Sequence, residues 1–170
     1  DLIRFVQKAM GYALSGDVSE QCLFILWGTG ANGKSTFLNV LLQLFGDYGC
    51  STGIETFTKK NKEQSNDLAR LKGARLVTTS EIEQGSPMSE SLIKSVTGED
   101  ALTARFLYGE YFSFKPTFKI FMATNHKPKI RGADNGIWRR IKMIPFTVTI
   151  PPEQRDKKLT EKLIAENSGI

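Results

Sequence analysis

Apolar residues fall along the chain in two patterns, one typical of buried strands and one typical of amphipathic helices. Continuous apolar runs that fit strands buried on both faces of a parallel sheet occupy residues 22–27, 74–81, 117–125 and 141–146, with a shorter run at 48–52. Apolar positions at helical spacing predict helices at residues 2–14, 34–45, 66–73 and 89–98. Strands that alternate with helices indicate an α/β fold with a mostly parallel, five-stranded sheet flanked by helices.

One segment does not fit a simple alternation of strands and helices. Residues 101–114 alternate between apolar and polar side chains, and a turn is predicted at residues 108–110. We therefore expect a β-hairpin inserted into the α/β fold.

Composition excludes some classes of protein but does not identify the function. The chain has 170 residues, of which 40% are hydrophobic and 24% charged, which is enough for one domain with a sizeable core. No apolar run reaches the roughly 18 residues of a membrane-spanning helix, so no membrane association is expected. The two cysteines, Cys22 and Cys50, give neither a disulfide framework nor a metal-ligand spacing. This favours reduced thiols in a cytoplasmic compartment.

Positive charge is concentrated in one part of the chain. Residues 115–142 hold eight lysines and arginines and one acidic residue, Asp134, whereas the whole chain has a net charge of +5. A local excess of this kind suggests an anionic partner such as nucleic acid, and a solvated basic surface is the alternative. Lys127 and Lys129, within this basic stretch, are candidates for contacts with DNA phosphates.

The most specific motif is GTGANGKST, which follows a predicted buried strand and opens a predicted helix. It matches the phosphate-binding pattern G-x-x-x-x-G-K-[ST], in which backbone N–H groups and a helix N-terminus surround phosphate oxygens. The pattern assigns Lys34 to the β- and γ-phosphates of ATP and the Ser35 hydroxyl to Mg²⁺. A glycine-rich turn without a ligand is the alternative. The predicted nucleotide-binding residues are Gly28, Thr29, Gly30, Ala31, Asn32, Gly33, Lys34, Ser35 and Thr36.

Polar side chains follow two further predicted strands. Glu81 ends the run at 74–81 and Glu83 follows two residues later, which is where a carboxylate can hold the metal ion and orient water. Asn125 ends the run at 117–125, where an amide can position the attacking water. The alternatives are two surface glutamates and an asparagine in an ordinary turn.

The order of these motifs resembles that of the superfamily 3 helicases. The segments are GTGANGKST, SEIE, LIKSVTGEDALTAR, FMATN and WRRIKMIPF, and together they cover about residues 20–147. The chain is most similar to the primase-helicases of phages, plasmids and poxviruses, and more distantly to Rep and large T antigen replication proteins. This resemblance implies a P-loop NTPase core of the AAA+ type. It also implies hexameric rings that move along single-stranded or forked DNA using ATP, and a primase domain that can precede the core in the full-length chain.

The resemblance also assigns roles to individual residues. Lys34 and Ser35 match the Walker A residues, Glu81 and Glu83 the acidic pair of motif B, and Asn125 the polar residue called sensor 1. Arg105 matches the basic residue at the start of the DNA-binding hairpin. Two departures from the family pattern concern the acids, which Ile82 separates here, and the hairpin tip, which reads FLYG instead of a lysine-histidine cluster. Tyr108 at this tip could stack on bases, or the hairpin aromatics could pack onto the core.

Two adjacent arginines precede the last predicted strand. In the families that this chain resembles, an arginine in this region reaches the nucleotide of the neighbouring subunit and stabilises the transferring phosphoryl group. If the segment is extended, Arg139 and Arg140 point to opposite sides. We favour Arg139 as this arginine finger, with Arg140 pairing within its own subunit and Trp138 burying its ring. Structural salt bridges for both arginines are the alternative.

The sequence thus predicts the ATP-hydrolysing motor of a DNA helicase. Its expected parts are the end of a preceding helical segment at 1–20, an ATPase core at 21–147 and the start of a truncated C-terminal segment at 148–170. We read the chain as a fragment of a longer protein, because it begins without Met and ends abruptly. Two competing interpretations are a P-loop kinase for nucleotides or small molecules, and a nucleotide-gated DNA-binding or assembly module without strong catalysis.

Overall fold

The computed structural model of the protein describes residues 1–58, 64–80, 88–126 and 135–169. In this part of the chain the helices are α1 (Leu2–Ser15), α2 (Lys34–Phe45), α3 (Gln64–Ala69), α4 (Glu90–Val96), α5 (Asn135–Trp138) and α6 (Leu159–Ala165). The strands are β1 (Leu23–Trp27), β2 (Gly49–Ser51), β3 (Leu76–Ser80), β4 (Leu102–Ala104), β5 (Phe112–Phe114), β6 (Lys119–Thr124) and β7 (Ile141–Pro145).

Five strands form one sheet in the order β2-β3-β6-β1-β7, and each neighbouring pair is parallel. This confirms the predicted five-stranded α/β architecture. β4 and β5 pair separately as an antiparallel hairpin, in which Leu102 lies opposite Phe114. The inserted hairpin is therefore confirmed as well.

The central strands β1, β3 and β6 are buried on both faces, as their apolar runs predict. Alternate residues of β1 show this: Leu23 and Ile25 belong to one core cluster, and Phe24 and Leu26 belong to the other. The first cluster also contains residues of α3, α4, α5 and the hairpin, whereas the second contains residues of α1 and α2. The result is a sheet between two layers, each of which buries an apolar helix face.

The helix ends follow simple sequence signals. α1 ends at Gly16, whose φ of 71° is the left-handed conformation that glycine adopts without strain. α2 starts immediately after Gly33 and ends before Gly46, which matches the predicted bounds of 34–45. Helices α5 and α6 were not predicted.

The register of the parallel strands brings three strand ends to the same level. Trp27 of β1 lies opposite Thr124 of β6, and Ser80 of β3 lies opposite Ala123 of β6. The segments that follow these strands therefore leave the same edge of the sheet, which is where α/β proteins bind ligands. Among the described residues, no helix combines the length and apolar character needed to cross a bilayer.

Candidate nucleotide-binding site

The loop between β1 and α2 is strongly curled. Gly30, Ala31 and Gly33 all have positive φ, at 111°, 50° and 85°. Ala31 adopts this conformation although it carries a Cβ, which is uncommon. A Cβ on Gly28 would lie 2.0 Å from the carbonyl oxygen of Phe146, so only glycine fits at the start of the loop. Loops with successive positive φ values of this kind can direct backbone N–H groups towards a bound anion.

The chain after β7 holds this loop in place. The Asn32 side-chain amide donates to the carbonyl oxygen of Phe146 at 2.9 Å. The backbone N–H of Ile150 donates to the carbonyl oxygen of Ala31 at 2.7 Å. Asn32 therefore anchors the loop, a role that the motif alone does not reveal.

The Lys34 ammonium lies at the centre of the loop. It donates to the carbonyl oxygen of Gly28 at 2.7 Å, to Oδ1 of Asn32 at 2.9 Å and to Oδ1 of Asn125 at 3.1 Å. Lys34 is buried, and burial lowers its pKa. All three acceptors are neutral oxygens, so the positive charge at this site is not compensated by them. A cation held in this way favours the binding of an anion.

The hydroxyl residues around Lys34 differ in exposure. Ser35, in the first turn of α2, is exposed, as is Thr29, whereas Thr36 is half-buried. An exposed hydroxyl at this position can reach a metal ion bound to the phosphates of a nucleotide. Among the described residues, no group of three or more histidine, cysteine or acidic side chains forms a metal centre of its own.

Asn125 is presented to Lys34 by the turn that follows β6. The Thr124 hydroxyl donates to the carbonyl oxygen of His126 at 2.7 Å and accepts from the His126 N–H at 3.1 Å. These bonds fix the turn on both sides of Asn125. The structure therefore brings together two of the predicted catalytic residues, Lys34 and Asn125. Glu81 and Glu83 lie outside the described residues, directly after the end of β3.

The two arginines do not lie in an extended segment. Both follow α5 in a turn, where the Arg139 N–H donates to the carbonyl oxygen of Asn135 and the Arg140 N–H donates to that of Ile137. The expectation of an extended backbone was wrong, because α5 continues up to them. Trp138 is 51% exposed, so its predicted burial was also wrong.

The arginine side chains nevertheless differ in environment. Arg140 is buried, and its Nη1 donates to the carbonyl oxygen of Gln21 and to Oγ1 of Thr97, each at 3.3 Å. Burial lowers its pKa, and the positive charge of Arg139 lowers it further. Arg139 is exposed, and its Nη2 donates to Oε1 of Gln21 at 2.6 Å. Among the described residues, the side chains of both arginines donate to neutral groups, and neither shows the carboxylate partner of the structural salt-bridge alternative.

The arginine pair lies at the opposite edge of the sheet from the phosphate loop. The carbonyl oxygen of Arg140 accepts from the N–H of Leu23, the first residue of β1, whereas the loop follows Trp27, the last. Five residues at about 3.3 Å each separate these positions by roughly 16 Å. The backbone of the arginine pair and the phosphate loop of the same subunit therefore lie at opposite ends of β1.

The hairpin tip is exposed and aromatic. Tyr108 is 98% exposed and has a φ of 63°, and the N–H of Gly109 closes the turn by donating to the carbonyl oxygen of Phe106 at 2.9 Å. The Arg105 guanidinium lies 4.7 Å from the centre of the Tyr111 ring. Tyr108 does not pack onto the core, unlike Phe114 on β5, which is buried.

Residues of the basic stretch differ in exposure. Lys119 and Arg140 are buried, so these two cannot contact DNA as part of a basic surface, contrary to the expectation for the whole stretch. Lys115 is exposed. Lys127 and Lys129 lie outside the described residues.

Most of the chain matches a known protein family. Residues 26–140, more than half of the chain, match the family described as "Family of unknown function (DUF5906)". The chain belongs to this family. The matched segment extends from the end of β1 to Arg140, and so contains the phosphate loop, the hairpin and Asn125.

The chain is also similar to proteins of large DNA viruses. It is 35% identical over 167 residues to a protein named "Putative helicase" from Acanthamoeba polyphaga mimivirus. The aligned region covers 96% of the chain and 17% of that protein. It is 29% identical over 153 residues to a "Putative helicase" from Frog virus 3, covering 85% of the chain and 16% of that protein. A "Putative primase" from African swine fever virus is 28% identical over 128 residues, covering 72% of the chain and 13% of that protein. The chain thus spans only 13–17% of the length of these relatives.

Solved structures share the fold. The C-terminal region of NrS-1 superposes with a TM-score of 0.70 at 14% identity, covering 95% of this chain and 39% of that one. JCV helicase superposes with a TM-score of 0.61 at 14% identity, covering 94% of this chain and 45% of that one. The α/β architecture described above is therefore also found in these two proteins.

Proposed function

We propose that this chain is the ATP-hydrolysing motor of a DNA helicase of the superfamily 3 type. The observation that carries the proposal is the position of the Lys34 ammonium, which lies in a curled loop after β1 and contacts Asn125 after the adjacent strand β6. The names of the relatives, helicases and a primase of DNA viruses, support the assignment to DNA replication.

ATP hydrolysis transfers a phosphoryl group to water, so catalysis consists mainly of positioning and charge neutralisation. In our proposal the loop N–H groups and Lys34 bind the β- and γ-phosphates. The Ser35 hydroxyl and Glu81 would hold Mg²⁺, whose charge offsets that of the phosphates. Asn125, which already accepts from Lys34 at 3.1 Å, would orient the attacking water together with Glu81 or Glu83.

The position of Arg139 favours a site shared between subunits. Because Arg139 lies at the opposite edge of the sheet from Lys34, we expect it to stabilise the γ-phosphate in a neighbouring copy of the chain. A ring of copies, hexameric in the helicases that this chain resembles, would complete each site in this way. Such arginines contribute roughly 10³–10⁵ in rate in other nucleotide hydrolases.

Single-stranded DNA is the proposed substrate for translocation. The hairpin tip offers an exposed ring at Tyr108 and a cation at Arg105, which is the combination used to stack bases and contact phosphates. Lys127 and Lys129 are proposed to add phosphate contacts. A primase domain in the same full-length protein and a cytoplasmic location belong to the same proposal.

Hydrolysis of ATP with and without single-stranded DNA tests this function. The natural full-length protein should hydrolyse ATP faster when DNA is present, and Lys34→Ala should abolish turnover because the phosphates lose their cation. Lys8→Ala, which removes an exposed lysine of α1, is the matched control and should behave as wild type. Hydrolysis that neither responds to DNA nor requires Lys34 would contradict the proposal. Phosphate transfer to a small acceptor in place of water would favour the kinase interpretation.

A further inference from the structure

Gln21 contacts both arginines, each through a different atom. Its side-chain Oε1 accepts from Arg139 at 2.6 Å, and its backbone carbonyl oxygen accepts from Arg140 at 3.3 Å. Gln21 precedes β1 and has a φ of 48°, a left-handed conformation that is uncommon for a residue other than glycine. Its own N–H donates to the carbonyl oxygen of Val18 at 2.8 Å, which holds this turn closed. A strained residue that is fixed by its neighbours is a frequent feature of functional sites.

Arg140 holds the backbone of the two adjacent arginines in place, while the side chain of Arg139 remains exposed. The Arg140 guanidinium also donates to Thr97, whose hydroxyl donates to the carbonyl oxygen of Ile93 at 2.6 Å. The Arg140 carbonyl oxygen accepts from the N–H of Leu23 at 2.8 Å. Arg140 is therefore bonded to the end of α4 and to the start of β1. Against this fixed base, the Arg139 side chain is exposed and is directed by its bond to Gln21.

The chemistry of an amide suits this position. A guanidinium has five N–H donors, and the Gln21 bond uses one nitrogen, so the remaining donors can reach a phosphate. Oε1 of an amide directs the arginine without neutralising its charge, whereas a carboxylate would form an ion pair with it. The neighbouring acid Glu20 makes no salt bridge with Arg139 in the part of the chain described here. In water this exposed bond contributes little to stability, but it would strengthen once a neighbouring subunit covers it.

We infer that Gln21 is a positioning residue for the arginine finger: its neutral amide directs Arg139 towards the nucleotide of the adjacent subunit while preserving the arginine's charge. This inference rests on the proposed function, because it requires a nucleotide site shared between subunits. Gln21 does not touch the nucleotide in this scheme, and it acts only through Arg139.

Steady-state ATP hydrolysis by variants of the full-length protein tests the inference. Gln21→Ala removes the acceptor, and Gln21→Gly removes it while also accommodating the positive φ, so that a folding defect in the first variant does not decide the result. Both should lower kcat by about tenfold, with KM for ATP changed less than about twofold, because a misdirected finger affects the transition state more than ground-state binding. Glu20→Gln is the matched control on the same turn and should leave kcat unchanged.

Two further measurements separate positioning from a merely structural role. Gln21→Glu keeps the shape of the side chain but forms an ion pair with Arg139, so kcat should also fall. Salt screens this exposed pair, so the kcat of the variant relative to that of wild type at the same salt concentration should rise as salt is added. Gln21→Ala subunits mixed with Lys34→Ala subunits should regain hydrolysis, because the latter present an intact Gln21 and Arg139 to a functional phosphate loop.

Each outcome of these experiments supports or contradicts the role of Gln21. If Arg139→Ala loses activity while the three Gln21 variants hydrolyse ATP as wild type does, the inference is overturned and the proposed function is not affected. If Arg139→Ala itself hydrolyses normally, the shared site is wrong and the inference is wrong with it. If the Gln21 variants lose thermal stability and ATP affinity together, and no activity returns on mixing, Gln21 is a structural residue.

Discussion

The ammonium of Lys34 lies 3.1 Å from Oδ1 of Asn125, although the two residues are 91 positions apart in the chain. The contact arises because β1 and β6 are adjacent parallel strands that end at the same level, so that the loop after one faces the turn after the other. A phosphate bound by Lys34 would therefore lie beside Asn125, which has both an amide donor and an amide acceptor for an attacking water.

We predict that Asn125→Ala and Asn125→Asp fail in different ways. Asn125→Ala should bind ATP nearly as wild type does but lose about 10–100-fold in kcat, because the water is no longer oriented. Asn125→Asp should instead weaken ATP binding, since a carboxylate would pair with Lys34 and repel the phosphates. Binding of a fluorescent ATP analogue and steady-state hydrolysis measure the two effects. His126→Ala, an exposed neighbour that bonds through its backbone, is the control. Equal ATP affinity in the Asp variant and wild type would contradict this arrangement.

We predict that Arg139 and Arg140 separate function from stability. Arg139 is exposed, so Arg139→Ala should leave the melting temperature within about 1 °C of wild type while hydrolysis falls by a factor on the order of 10³. Arg140 is buried between Gln21 and Thr97, so Arg140→Ala should cost about 1–3 kcal/mol of unfolding free energy. Thermal melts and urea unfolding, combined with hydrolysis assays, distinguish the two roles. A large loss of stability in Arg139→Ala would mean that this arginine is structural as well.

The sequence was sufficient to predict the centre of the sheet because β1, β3 and β6 are mostly apolar runs buried on both faces. The helix α2 was predicted to its bounds since glycines at 33 and 46 flank its apolar pattern. Helix α6 was missed because it has only seven residues, and its apolar residues Leu159, Leu163 and Ile164 make a pattern too short to stand out. Helix α5 has only four residues, of which Ile137 alone is buried. Elements shorter than about ten residues give little periodic signal.

The sequence predicted the part of the candidate site that a short motif contains. It did not predict the contacts between residues that are distant in the chain. GTGANGKST located the phosphate loop, but no local pattern indicates that Asn32 bonds to the chain 114 residues away or that Gln21 bonds to Arg139 118 residues away. Charge patterns were misleading for Lys119 and Arg140, because sequence charge does not tell whether a long side chain is buried.

We predict that the Tyr108 ring contributes to DNA binding without contributing to folding. Tyr108→Asn removes the ring, and asparagine tolerates the positive φ of 63°, so stability should stay within about 0.5 kcal/mol of wild type or rise slightly. Affinity for single-stranded DNA should fall by about tenfold, which corresponds to the loss of roughly one stacked base. The loss should persist at high salt, because stacking releases no counterions.

Fluorescence anisotropy with labelled single-stranded DNA at two salt concentrations measures this effect. Tyr108→Phe keeps the ring and should bind as wild type does. Arg105→Ala should instead reduce the salt dependence of binding, because it removes a phosphate-binding charge. Wild-type affinity in Tyr108→Asn would show that the exposed tip does not contact DNA.

The last prediction concerns Lys119, which is 1% exposed at the start of β6 and whose Nζ has no hydrogen-bond partner in the part of the chain that the structure describes. Its ammonium lies 4.3 Å from the centre of the Tyr12 ring, a cation–π contact that compensates burial only in part. Burial lowers the pKa of Lys119 from 10.5 to about 8, and the charge of Arg75 acts in the same direction, whereas Cys22 and Asp17 oppose it.

The sign of the pH dependence follows from this lowered pKa. Below pH 8 the lysine is protonated in both the folded and the unfolded chain, so the folded state bears the full cost of a buried charge. Between pH 8 and 10.5 the folded protein has released the proton while the unfolded chain still binds it. Stability due to Lys119 should therefore rise with pH across this window, by about 1.4 kcal/mol per pH unit and by a total on the order of 3 kcal/mol.

Lys119→Met isolates this contribution, because methionine has a similar shape and no charge. Burial raises the pKa of Cys22 and of Tyr12, and these two groups oppose the lysine by lowering stability as the pH rises past their ordinary values of 9.0 and 10.0. Both groups remain in the variant, so the difference between variant and wild type reports mainly on Lys119. At pH 7 the variant should be more stable than wild type by about 1–3 kcal/mol, and the gap should close towards pH 10.5. Urea unfolding at several pH values measures this gap, with Lys115→Met as the exposed control. A gap that does not change with pH would mean that Lys119 is not charged at pH 7 or is solvated in the folded protein.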